Sequence, residues 1–229
     1  RYRQEAKRQG REDIAKSLEN VPRYGAKNFR EALQFLRILH YSLWLEGCYH
    51  NTVGRFDKYM YPYLKRDMEL GIYTKETALE LLEDFFVSFN KDSDLYPGVQ
   101  QGDNGQSMVL GGIDEDGNDV FNLLSELCLK ASKNLMMIDP KINLRVNKTT
   151  PAKIFELGSE LTKAGLGFPQ YSNDDVVIEG LEKLGYDKND ANNYAVAACW
   201  EFIIPGKGAD IPNIGALSFP KIVNSAMYK

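Results

Sequence analysis

Cysteine and histidine are scarce in this 229-residue chain, which has three Cys and two His. Cys48, Cys128 and Cys199 lie far apart with no Cys-x-x-Cys pair, so neither a disulfide framework nor a zinc-finger spacing is present, and the expected compartment is a reducing cytoplasm. No run approaches the roughly 18 apolar residues that span a bilayer, and no basic-then-apolar leader is visible, so a membrane is not an expected partner. Charge of one sign is missing as well. With 28 basic and 32 acidic residues the net charge is -4, which gives no electrostatic footprint for nucleic acid or an anionic membrane surface. What is present is a 43% hydrophobic composition, enough for a sizeable core in one large domain or in part of a larger one. The chain begins at Arg1 without a methionine and closes on Met227-Tyr228-Lys229, from which we expect a piece of a longer protein, checkable by intact mass.

Residues 1–20 are charged and poor in apolar positions, which predicts a surface helix. Asn28 is a good N-cap for a helix with Phe29, Leu33, Leu36, Leu39, His40 and Leu43 on its apolar face, and Gly47 is a good stop. His40 on that stripe reads as a core residue. His50 lies in a more polar segment and is a weak candidate for a pocket. Gly54 to Tyr63 holds an Arg/Asp pair among four aromatics, which predicts a pinned loop. Thr74 caps a helix reaching Phe89.

Residues 106–113 read as a buried strand, followed by an acidic Asp-Gly turn at 114–119 whose glycine comes too early for an EF-hand loop. A helix is expected from Phe121 to Lys133 and a strand from Ile142 to Val146, with Asn143 and Arg145 on one face. Arg145 there is either a holder of an anionic group or half of a structural ion pair. Thr150 and Pro151 open a helix that Gly165 ends, and Asp174 opens another that Gly185 closes. Pro205-Gly206-Lys207-Gly208 lacks the P-loop pattern. Residues 1–105 are thus expected to be mainly helical, and 106–229 to alternate strands with helices in an α/β arrangement ending in the Cys199 segment.

The stretch Tyr194-Ala195-Val196-Ala197-Ala198-Cys199-Trp200-Glu201-Phe202 sets a thiol and a carboxylate two residues apart in an apolar run. If the run is extended, Cys199 and Glu201 project to one side and Trp200 to the other. A Cys in such a run is ordinarily a buried small hydrophobe. Glu201 is what sets this run apart, because a carboxylate among apolar neighbours is costly unless paired or held for proton chemistry.

Asn28-Phe29-x-Glu31-Ala32-Leu33-Gln34, Gly54-Arg55-Phe56-Asp57 with Tyr61-Pro62, Gly111-Gly112, Leu144-Arg145-Val146, Gly165-x-Gly167-x-Pro169 and Ala198-Cys199-Trp200-Glu201 occur in this order. In this the chain resembles the glycyl radical enzymes of the pyruvate formate-lyase-like superfamily over roughly residues 20–225 of the sequence. The resemblance implies part of a barrel built from two half-barrels of parallel strands wrapped in helices, with the catalytic cysteine on a finger loop inside. It implies no bound cofactor; instead a protein glycyl radical, installed by a radical-SAM activating enzyme, oxidises Cys199 to a thiyl that takes hydrogen from a small-molecule substrate. Glu201 then acts as base, and Arg145, His50 and Trp200 are weaker substrate-binding candidates. The full-length protein is expected to be a homodimer. The radical-bearing Arg-Val-x-Gly-Tyr motif is absent from these 229 residues, so the chain alone is expected to be inactive.

A single Cys followed two residues later by Glu resembles the dehydratases, decarboxylases and C–N or C–S lyases of the superfamily. Pyruvate formate-lyase itself carries two adjacent Cys, and here Ala198 stands where the first of them would be. The usual Gly-Cys-Val-Glu is Ala-Cys-Trp-Glu in this chain, and the segment around Tyr49, His50 and Asn51 does not reproduce the His-Ser of diol dehydratases. Two readings of other kinds stay open: a thiolate enzyme with Cys199 as nucleophile, for which His40 and His50 are the candidate bases, and a non-catalytic helical scaffold.

Overall fold

The computed structural model describes residues 1–46, 50–91, 105–208 and 218–228. Its centre is a four-stranded, wholly parallel sheet in the order β1 (Gly54–Arg55), β2 (Ser107–Gly111), β3 (Lys141–Val146), β4 (Gln170–Asn173). Successive strands are joined through helices, as parallel pairing requires. α4 (Phe56–Glu69) and α5 (Lys75–Phe89) lie between β1 and β2, α6 (Leu123–Leu135) between β2 and β3, and α7 (Ala152–Lys163) between β3 and β4.

The pleat sorts the side chains into two layers. Met108, Leu110, Ile142, Leu144 and Val146 pack with Phe56, Leu64, Leu82, Phe86, Leu124, Leu129, Ile154 and Leu161 of the helices in the main core. The opposite face carries Ser107, Val109, Asn143, Arg145 and Ser172, and it too is buried. What covers it is a hairpin of β5 (Ala195–Ala197) and β6 (Glu201–Ile203), whose Tyr194, Ala195, Val196 and Ile204 form a second cluster with Val109. Helices α4 to α7 thus pack on one face of the parallel sheet, while on the other, inner face the hairpin packs together with Leu181 of α8 (Asp174–Lys183) and with Ala191.

The capping expectations at Asn28 and Thr74 hold, whereas Pro151, not Thr150, is the N-cap residue of α7 and makes no side-chain cap. Asn28 accepts from the Glu31 amide to start α3 (Phe29–Leu45), and Thr74 and Thr77 form a reciprocal capping box at α5. Gly47, the expected stop of α3, lies outside the described residues. Asn173 caps α8.

Three expectations are corrected. The surface helix of residues 1–20 is two, α1 (Tyr2–Arg8) and α2 (Glu12–Ser17), separated at Gly10. The pinned loop from Gly54 to Tyr63 is β1 running directly into α4, with Pro62 inside the helix. Phe56, Met60 and Leu64 recur every four residues and are all buried, which outweighs the roughly 3 kcal/mol that an interior proline costs. Finally, the Cys199 run is not one strand but folds back on itself at residues 198–200.

Candidate active site

The hairpin enters from the C-terminal ends of the sheet strands and runs back along the inner face, antiparallel to them. Its base is gripped by two buried arginines. Arg145 donates to both carboxylate oxygens of Asp174, at 2.8 and 2.9 Å, and its remaining bonds reach the carbonyls of Tyr194 (2.8 Å) and Asn192 (3.0 Å). The guanidinium carbon sits 3.8 Å from the centre of the Tyr194 ring, whose hydroxyl donates to Asp174 at 2.6 Å. The charge pair is wholly enclosed, so its large desolvation cost is offset only because each partner is saturated with hydrogen bonds. Of the two readings of Arg145, this geometry is that of the structural ion pair.

Arg55 holds the same base from the β1 side, donating to the carbonyls of Asn192 (3.2 Å), Gly111 (3.2 Å) and Ile113 (2.8 Å). Burial, with the positive charge of Arg145 second, lowers its pKa to about 10, which leaves it charged near neutrality. Gly111 and Gly112 are both in the left-handed region, and a Cβ at Gly112 would stand 2.4 Å from Arg145 Nε. Gly112 therefore leaves the space that the Arg145 side chain occupies.

At the other end, the N-terminal edge of the sheet holds the hairpin tip. The Ser107 hydroxyl donates to the Ala198 carbonyl at 2.8 Å. Thr52 donates to the Ser107 carbonyl at 2.8 Å, with the Val196 carbonyl at 3.3 Å. Ala198 is left-handed, with φ 43°. Cys199, Trp200 and Glu201 are all exposed, Trp200 by 54%. The Glu201 carboxylate turns back and accepts the amide hydrogens of Cys199 and Trp200 through one oxygen, Oε2, at 2.9 Å each. A reactive thiol can thus face a ligand from the tip while the backbone behind it is pinned.

The structure brings Cys199, Trp200 and Glu201 together and places Arg145 at the far, buried end of the same hairpin. His50 abuts Gly105, two residues before Ser107: a Cβ on Gly105 would lie 2.0 Å from His50 Nδ1. It therefore stands on the edge of the sheet that receives the tip. His40 is buried in the helical layer, where Nε2 bonds the Asn51 carbonyl at 2.7 Å and Nδ1 lies 3.2 Å from Arg37, and burial lowers its pKa to about 4. Sequence reasoning missed Arg55, Ser107 and Asp174 as parts of this arrangement. All three stood in segments it singled out, Ser107 in the strand expected over 106–113, but nothing in that strand's pattern marked its hydroxyl for a role at the tip. Among the described residues, no group of three or more His, Cys, Asp or Glu could hold a metal ion.

Comparison with known proteins matches this architecture. Residues 3–229 match the model of the pyruvate formate lyase-like family. The chain is 30% identical over 224 residues to the (2S)-3-sulfopropanediol dehydratase of Klebsiella oxytoca, covering 95% of this chain and 27% of that protein. It is also 30% identical over 223 residues to the isethionate sulfite-lyase of Bilophila wadsworthia, covering 94% of this chain and 27% of the relative. Among solved structures, that of 1,2-propanediol dehydration in Roseburia inulinivorans superposes with a TM-score of 0.79 at 32% identity, covering 88% of this chain and 25% of the other. The chain belongs to the pyruvate formate lyase-like family of glycyl radical enzymes. It spans about a quarter of the length of the curated relatives it matches.

Proposed function

We propose that this chain supplies the thiyl-forming finger of a glycyl radical lyase, with Cys199 as the hydrogen-abstracting thiol and Glu201 as the base. The observation that carries this reading is the exposed Cys199 at the tip of a hairpin on the inner face of a half-barrel, with Glu201 folded against it. The fit to a radical partner is chemical: the thiol is exposed at the tip, while the backbone behind it is buried and hydrogen-bonded. A glycyl radical borne elsewhere in the full-length protein, installed by a radical-SAM activating enzyme, would supply the one-electron oxidation.

The steps on this chain balance as follows. Cys199 Sγ gives its hydrogen atom to the stored radical, takes one from a substrate carbon, returns it to the product carbon, and regains its own as the stored radical re-forms. Between these transfers Glu201 receives a proton from the neighbouring substrate hydroxyl while the adjacent bond releases its leaving group. Glu201 spends Oε2 on the turn, and Oε1 is the oxygen left for that proton. Because Cys199 is exposed here, the enclosure that keeps water and oxygen from such an open-shell intermediate would be completed by the rest of the full-length protein.

A dehydratase or sulfur-releasing lyase is favoured over formate acetyltransferase chemistry because Ala198 offers no second thiol beside Cys199. The relatives named as a dehydratase and a sulfite-lyase support the same grouping. In this reading the whole protein is cytoplasmic and homodimeric. The test is anaerobic incubation of the activated full-length protein with 3-sulfopropanediol, isethionate, 1,2-propanediol and, separately, pyruvate with coenzyme A. Elimination product from one of the first three supports the reading, and acetyl transfer from pyruvate with none of the others overturns it.

A further inference from the structure

We propose that Ser107 is a positioning residue for the Cys199 thiol, because it and Glu201 grip the two sides of one peptide plane. The inference rests on Cys199 being the reacting thiol. The peptide between Ala198 and Cys199 is planar, so its carbonyl and its N–H cannot reorient independently. Its carbonyl oxygen accepts from Ser107 Oγ at 2.8 Å, and its N–H donates to Glu201 Oε2 at 2.9 Å. Together the two bonds fix the rotation before and after that plane and so the direction in which Cys199 Cβ leaves the backbone.

The grip is needed because of the residue that precedes the thiol. Ala198 has φ 43°, a conformation that a side chain with a Cβ rarely adopts unaided. Ser107 is fully buried at the start of β2, so its hydroxyl is held by the sheet, not by the hairpin, and it transmits the rigidity of the sheet to the tip. Thr52, donating to the Ser107 carbonyl, ties the β1 side to the same point. Without the Ser107 hydroxyl, the buried Ala198 carbonyl loses its partner and the plane is free to turn, which takes Ala198 out of the left-handed region and swings the thiol.

The test needs neither substrate nor radical, so it stands or falls separately from the role of Cys199. In unactivated full-length protein, amide hydrogen exchange at Cys199 and its alkylation by iodoacetamide are measured for wild type, Ser107→Ala, Ser107→Thr, Ala198→Gly and the Ser107→Ala/Ala198→Gly double variant. Ser107→Ala raises the exchange rate of the Cys199 amide about tenfold, the size of one hydrogen bond, and changes the alkylation rate. Ser107→Thr, which keeps the hydroxyl, behaves as wild type. The decisive member is the double variant: glycine takes the left-handed conformation without strain, so Ala198→Gly suppresses the effect of Ser107→Ala to within about threefold of wild type. Unchanged exchange in Ser107→Ala overturns the proposal, and so does a rise that spreads through the β2 amides and is not suppressed by Ala198→Gly. Should Ser107→Ala fail to fold, Ser107→Cys with its weak donor replaces it; exchange equal in the Thr and Cys variants is then the contrary result.

Discussion

Glu201 accepts the backbone N–H of Cys199 at 2.9 Å, so the carboxylate assigned as base also caps the turn that presents the thiol. The two duties fall to different oxygens and can be separated by substitution. Glu201→Gln keeps a carbonyl oxygen that can accept from the Cys199 and Trp200 amides but cannot take up a proton at neutral pH. The expected result is wild-type iodoacetamide labelling of Cys199 with turnover reduced on the order of 10²–10⁴. Labelling and turnover that fall together would mean that Glu201 acts only on the turn.

The buried base of the hairpin makes a stability prediction. Arg145→Met leaves Asp174 enclosed without its partner, and removing one member of such a pair costs about 3–5 kcal/mol. Urea unfolding of the full-length protein is expected to show that loss. Lys at position 145 should recover little of it, because a single ammonium cannot match both Asp174 oxygens and two carbonyls at once. The double change Arg145→Met/Asp174→Leu is expected to be less harmful than Arg145→Met alone.

His40 gives a pH prediction. Its neutral ring donates from Nε2 to the Asn51 carbonyl and faces Arg37 with Nδ1, so protonation would put a second charge toward the guanidinium inside the helical layer. Burial sets its folded pKa at about 4, below the value of an unfolded histidine. Its contribution is therefore complete above about pH 6.5 and is lost as pH falls toward 4, on the order of 3 kcal/mol in all. Asp57 works in the opposite sense over an overlapping range: burial raises its pKa to about 6, so its protonation favours the fold as pH falls. The check is therefore a difference, with the urea midpoint of wild type dropping relative to His40→Gln between pH 6.5 and 4.5. Parallel pH profiles would contradict it.

Much of the fold was legible because it is local. Asn28 and Thr74 cap where a short polar side chain before an apolar stripe should, and β2 and β3 fall where apolar runs meet turn residues. The errors have physical causes. Pro62 and the cluster of aromatics disguised α4 as a loop, although the four-residue recurrence of Phe56, Met60 and Leu64 was there to be weighed against them. The turn at Ala198 carries no Gly, Asn or Asp to announce it, and its left-handed residue is held from elsewhere. That support comes from residues far away in sequence, 91 positions in the case of Ser107 and Ala198 and 137 in that of Arg55 and Asn192. Such pairs are set by how the hairpin lies along the parallel sheet, which no local pattern encodes. Cys199 and Glu201 stood out because a carboxylate two residues from a thiol is unusual in an apolar run, even though the run proved to be a hairpin and not one extended strand.

Electron paramagnetic resonance on the full-length protein and its Cys199→Ala variant, both activated anaerobically and then assayed for elimination, tests the central claim most directly. The account predicts a carbon-centred doublet of similar amplitude in the two proteins and turnover in the wild type alone, since the radical is stored elsewhere and Cys199 carries it to the substrate. Turnover by the Cys199→Ala protein at the wild-type rate would contradict it.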